Sequence, residues 1–111
     1  MILSRRAIGG AVLAASLGLL SVGTAALANT ATPFSDAAFK AAQASGSPIL
    51  VEIHADWCPT CKAQQPILDK LTSDAKFKDL KVFRVDFDSQ KAVVRQFGAQ
   101  MQSTLIVYKG A

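Results

Sequence analysis

HADWCPTCKAQQPILDKL, residues 54–71, contains both cysteines of the 111-residue chain, its single histidine and its single tryptophan. Immediately upstream, Pro48 opens ILVEIH (49–54), a short, mostly apolar and β-branched run that suits a buried strand. Downstream, Ile67, Leu68 and Leu71 fall on one face of a helix that starts near Cys58. Pro66 within it removes a backbone hydrogen bond and predicts a kink. Cys58 therefore stands at a strand-to-helix junction, where unpaired N–H groups and the positive end of the helix dipole favour thiolate over thiol. That makes Cys58 the attacking sulfur. Cys61, one turn further on and deeper, can reach the same sulfur and would resolve a mixed disulfide. Pro59 costs no hydrogen bond in the first turn and helps to fix the geometry, and Thr60 completes the CPTC spacing. Trp57 offers a flat apolar surface to a partner chain.

Two thiols at this spacing admit three readings: a redox couple, part of a metal site, or a structural bridge. A closed metal site usually takes four ligands, so two cysteines and one histidine would need carboxylates or a second chain to complete it. A structural bridge across one helical turn closes a very small loop and constrains little unfolded-state entropy. A redox couple meets neither objection.

The remainder of the chain reads as one α/β domain, residues 35–111, preceded by a polar linker at 29–34. Ser35 is placed to cap a helix over DAAFKAAQAS (36–45), with Ala37, Ala38, Ala41 and Ala42 on one side and Gly46 as its stop. LKVFRVDFD (80–88) alternates as a strand, Ser89 can cap a short helix QKAVVRQF (90–97) ended by Gly98, and TLIVY (104–108) forms a third strand. Helices alternating with strands predict parallel pairing.

The net charge is +4, but Arg5 and Arg6 lie in the first six residues; without them ten basic side chains face eight acidic ones. A balance of +2, dispersed along the chain, gives no basic patch for nucleic acid. MILSRR is a short basic start, AIGGAVLAASLGLLSVGT (7–24) is uncharged and apolar, and Ala26-Leu27-Ala28 has the small-x-small form of a cleavage site. Residues 1–28 are thus expected to be a cleaved signal peptide, exporting a bacterial protein to the periplasm or medium, with the arginine pair hinting at the twin-arginine route. An uncleaved membrane anchor is the alternative, and the membrane would then be met only through this segment. Export leaves the reducing cytosol behind and permits disulfide chemistry.

From Pro48 to Gly110 the sequence resembles the thioredoxin superfamily, through ILVEIHADWC, CPTCK, QPILDKL, KVFRVDFD and STLIVYKG. The resemblance implies a central sheet flanked by helices and thiol–disulfide exchange by a Cys58–Cys61 disulfide, with no cofactor. Protein thiols and disulfides of the cell envelope, and a membrane electron donor or acceptor, would be its partners. Glu52 occupies the place of the family's buried acid, which would take the proton of Cys61, and Arg84 that of the buried lysine beside it. Arg keeps its proton and would hold Glu52 ionised; a purely structural strand ion pair is the other reading of the two.

Three departures stand out. Ser103 occupies the family's cis-proline position, so a trans bond or a strained site is expected, and metal or iron–sulfur capture by the thiols gains ground as an alternative. His54 replaces an aromatic residue, either tuning Cys58 or simply packing. The family's final edge strand and helix do not follow YKG, so a truncated product with a half-covered sheet face and an open TLIVY edge is expected.

Overall fold

A computed structural model describes residues 30–111 together with Gly18. The expected signal segment, residues 1–28, otherwise lies outside the described residues. In chain order the elements are β1 (Thr32–Pro33), α1 (Asp36–Ala44), β2 (Pro48–His54), α2 (Pro59–Thr72), a 3-10 turn (Ala75–Phe77), β3 (Lys81–Asp86), α3 (Lys91–Gln96) and β4 (Leu105–Lys109). The sheet order is β1-β3-β2-β4. β3 runs parallel to both β1 and β2, with Glu52 opposite Arg84 and His54 opposite Asp86.

β4 corrects the expectation of parallel pairing: it is antiparallel to β2, with Glu52 opposite Leu105. The chain reaches β4 from β3 by way of α3 and a turn at 101–104, and it enters β4 running against β2. The expected linker is corrected as well. Thr32 and Pro33 pair with Phe83 and Arg84, and Phe34 is buried in the core.

Period-two alternation divides the sheet side chains cleanly. On one face Ile49, Val51, Ile53, Phe83 and Val85 pack with Phe39 of α1 and Val94 of α3. Phe34, Phe39, Phe97 and Tyr108 add mostly edge-to-face aromatic contacts at centroid distances of 5.4–6.2 Å. Full burial of Ile49, Val51 or Ile53 contributes about 1.5–3 kcal/mol apiece. Ser35 caps α1 by accepting from the Ala38 N–H, as its sequence position predicts. The helix face that enters the core is Phe39 and Ala42, with Ala38 half-buried, whereas Ala37 and Ala41 are exposed. Ser89 does not cap α3; its N–H and that of Asp88 both donate to Asp86 Oδ1, at 2.8 and 3.0 Å.

The opposite face carries Leu50, Glu52, His54, Val82, Arg84, Leu105 and Val107, with α2 above it. The helix assignment continues through Pro66. Ile67 and Leu71, on the apolar face of α2, are 62% and 51% exposed, and Val107 is 74% exposed. Leu50, Leu68, Leu71, Phe77, Leu80 and Val107 line an apolar groove of roughly 290 Å³. Among the described residues, this face is thinly covered and β4 forms a sheet edge, in line with the expectation from sequence. Gln64 reaches the Ser103 carbonyl and Gln65 accepts from Arg84.

Candidate active site

β2 delivers the site. Its last residues carry the chain into a turn at 55–58, where the Cys58 N–H donates to the Ala55 carbonyl at 3.1 Å. Cys58 then takes the N-cap position of α2, with Pro59 in the first turn. Its sulfur does the work that a serine or aspartate oxygen does at other helix starts: it accepts from the Cys61 N–H at 3.1 Å. Cys58 and Cys61 are 1% and 3% exposed, pack with Ala55 and Phe87, and are both free thiols.

The two thiols are driven apart. Burial pushes Cys58 up, but hydrogen bonds from the Cys61 side chain and N–H, the Thr60 N–H and the Gln102 side chain outweigh it, so its pKa falls below that of an ordinary thiol. Burial raises Cys61, and its hydrogen bond to Cys58 and the nearby Cys58 charge raise it further. The order of deprotonation expected from sequence, Cys58 first, is the order this geometry favours. A direct consequence concerns pH. Because the Cys58 thiolate is the form held by these donors, alkylation by iodoacetamide should rise with pH to a midpoint below that of a free cysteine peptide, followed by a second, slower phase from Cys61 above it. Mass-resolved rates between pH 5 and 10 check this; two coincident midpoints at the free-thiol value contradict it.

Beneath α2, Arg84 Nε donates to Glu52 Oε2 at 3.1 Å; the carboxylate side chain is 6% exposed and the guanidinium side chain 32%. Arg84 Nη2 also donates to Gln65 Oε1, and Gln65 Nε2 donates to Asp69 Oδ1 at 2.8 Å. A chain of polar contacts thus leads from the buried acid to the helix surface. Trp57 is 56% exposed, its indole N–H donates to Asp88 Oδ2 at 2.7 Å, and its ring meets Phe87 edge-on at 6.5 Å. Lys91 Nζ sits 3.9 Å over the other ring of this pair, Phe87. His54 has its Nε2 3.1 Å from Asp56 Oδ1. Asp86, opposite it, lies below the usual carboxylate range, chiefly through hydrogen bonds from the backbone and side chain of Ser89, with His54 contributing.

Ser103 lies in a trans linkage, since no peptide bond is cis among the described residues, and it adopts φ 64°. Both parts of the expectation hold together: trans, and strained for a non-glycine residue. Its N–H donates to the Ile53 carbonyl at 2.7 Å, and Gln64 Nε2 donates to its carbonyl at 3.1 Å. Among the described residues, no group of three or more His, Cys, Asp and Glu side chains converges as a metal site would require. Gln64, Gln65, Gln102, Asp88 and Phe87 were not singled out from sequence. The signal available was the Gln64-Gln65 pair placed directly before the helix proline, where a buried helix face would ordinarily be apolar.

A sheet of this order, with a buried, unequal pair of thiols at the N-terminus of α2, defines a dithiol protein of thioredoxin-like fold. The family model for thioredoxin matches residues 30–111. The crystal structure of Trxlp from Edwardsiella tarda EIB202 superposes with a TM-score of 0.71 at 52% identity, covering 73% of this chain and 79% of that one. Thioredoxin 1 of Nostoc is 33% identical over 66 residues, 60% of this chain and 61% of the relative. Protein disulfide-isomerase erp38 of Neurospora crassa is 34% identical over 107 residues, 89% of this chain and 28% of the relative. The chain belongs to the thioredoxin family. It spans about three fifths of the length of several of the curated thioredoxins it matches.

Proposed function

We propose that the protein is an exported thiol–disulfide oxidoreductase that reduces disulfides of other proteins through Cys58 and Cys61. The observation that carries this reading is the inequality of two adjacent buried thiols: Cys58 is held toward thiolate by the first turn of α2 and Cys61 is held protonated beside it.

In the reaction, the Cys58 thiolate attacks one sulfur of a target disulfide, forming a mixed disulfide and expelling the other target sulfur as a thiolate. Cys61 then loses its proton and attacks the Cys58 sulfur. A Cys58–Cys61 disulfide forms, the second target sulfur leaves, and two electrons have passed from the pair to the target. Glu52 takes the Cys61 proton, through water, and Arg84 Nε, donating to that carboxylate, holds it in place. Trp57, braced by Asp88 and Phe87, presents its ring to the target chain.

The direction rests on the relatives, which are mostly thioredoxins, reductants of low potential. Export rests on the basic, apolar and Ala-Leu-Ala sequence of residues 1–28, with a bacterial periplasm as the compartment. No helix among the described residues is long and apolar enough to cross a membrane. A reductant outside the cytosol must be recharged, so a membrane dithiol donor is the partner on one side and envelope protein disulfides are the partners on the other. Equilibration of the purified protein in thiol–disulfide buffers of graded ratio tests the core of this reading. Both thiols should be lost together, with a mass decrease of one hydrogen pair per chain.

A further inference from the structure

The turn at 101–104 lies against the end of β2, from which the chain runs on to the sulfur pair. Thr104 Oγ1 donates to the Met101 carbonyl at 2.7 Å, the Ile53 N–H donates to the Thr104 carbonyl at 2.9 Å, and Ser103 is tied to the Ile53 carbonyl at 2.7 Å. These bonds continue the β2–β4 ladder to the end of β2, where the site begins. They hold Ser103 in a left-handed conformation that a β-carbon disfavours, so something must keep the turn from relaxing. One side-chain bond reaches the turn from outside the sheet: Gln64 Nε2 to the Ser103 carbonyl, spanning 39 residues of sequence. Gln64 is half-buried and lies on α2 one turn beyond Cys61, so the helix that carries the thiols also grips this turn. Next to Ser103, the Gln102 side chain is near enough to Cys58 to help lower its pKa, and the Ser103 backbone acts on Cys61 in the same direction.

We propose that Gln64 is a positioning residue of the redox site, locking the Gln102–Ser103 turn against Cys58 and Cys61 through its bond to the Ser103 carbonyl. It does in this chain, through a side chain, part of what a backbone constraint at position 103 would do. The inference deepens the redox reading and rests on it. Gln64 does not touch the reacting sulfurs; it acts through the turn. With its amide gone, the positive φ at Ser103 is free to relax, Gln102 moves off Cys58, and the thiolate loses a donor.

The test is a thiolate titration, by absorbance near 240 nm and by iodoacetamide rate, on the full chain and on two variants, Gln64→Leu and Gln64→Glu. Leucine removes the donor and keeps the volume; glutamate keeps the shape and presents an oxygen to the carbonyl. Both should move the Cys58 midpoint upward, toward an ordinary thiol. An upward move of one pH unit lowers the thiolate fraction, and so the alkylation rate at neutral pH, about tenfold. Gln64→Lys, which restores a donor within reach, should recover most of the loss. Circular dichroism and melting confirm that the compared variants are folded, and the glutamate variant stands in should the leucine variant fail to fold. Midpoints unchanged from the parent in a folded variant overturn the proposal, as does a shift that Gln64→Lys leaves fully in place. Because titration needs no turnover, these outcomes remain distinct from failure of the parent protein to exchange disulfides, which would strike the proposed function instead.

Discussion

Cys58→Ser should fold normally and lose disulfide exchange entirely, while Cys61→Ser should keep the first chemical step and stall at the second. The serine oxygen at position 58 can accept from the Cys61 N–H as the sulfur does, so the α2 cap survives and stability changes little. What disappears is the nucleophile, and removing a nucleophile costs on the order of a thousandfold or more in rate. In Cys61→Ser, Cys58 keeps the donors of the helix turn and still attacks, but nothing displaces the target from the mixed disulfide. Incubation with a protein disulfide substrate should therefore accumulate a covalent adduct that dithiothreitol dissolves. Turnover by the Cys58 variant at the parent rate, or adducts formed equally by Cys58→Ser, would contradict the division of labour between the two sulfurs.

Arg84→Leu should destabilise the fold strongly although the side chain lies outside the apolar core. Glu52 lies on the α2 face of β2, almost fully buried, and Arg84 directly opposite on β3 donates to it. Removing one partner of a buried pair strands the other charge, at about 3–5 kcal/mol. Since the Arg84 side chain is about a third exposed, water screens the pair and a smaller loss than that range, about 2–3 kcal/mol, is expected. For a domain of this size that lowers the melting temperature by roughly 10–20 °C. Glu52→Gln combined with Arg84→Leu should recover a large part of the loss, because no buried charge is then left alone. A melting temperature within a degree or two of the parent for Arg84→Leu alone would show that the pair carries no structural weight.

How far the sequence reached is best seen by comparing two positions. Cys58 was legible because each element of its setting is local: a β-branched run before it, a proline after it, and apolar helix positions downstream. The Glu52–Arg84 pairing was legible only by likeness to the thioredoxin superfamily, since register between β2 and β3 is a tertiary property; the structure places the two residues opposite. β1 escaped notice because two residues, one of them proline, carry no periodicity, and only pairing with β3 makes them a strand. The direction of β4 escaped for a similar reason: it is a matter of how the chain returns to β2 after α3, which the alternation within TLIVY does not encode. Ile67 and Leu71 have helical spacing, but spacing cannot say whether a neighbouring layer is there to receive them, and both remain exposed. Gln64 is a residue type usually read as surface, and its role follows from a bond to a carbonyl 39 residues away.

The central claim is that Cys58 and Cys61 form one reversible two-electron couple that runs as a reductant. The direct test is the equilibrium reduction potential of the wild-type pair, obtained by trapping free thiols after equilibration across dithiothreitol or glutathione buffers. The predicted result is a single transition with two-electron slope, about 30 mV for each tenfold change in the ratio of oxidised to reduced protein, centred near the thioredoxin value of about −270 mV. A midpoint near −120 mV, the range of a strong oxidant, would contradict the proposed direction. Thiols that titrate independently, with no Cys58–Cys61 disulfide at any potential, would contradict the couple itself.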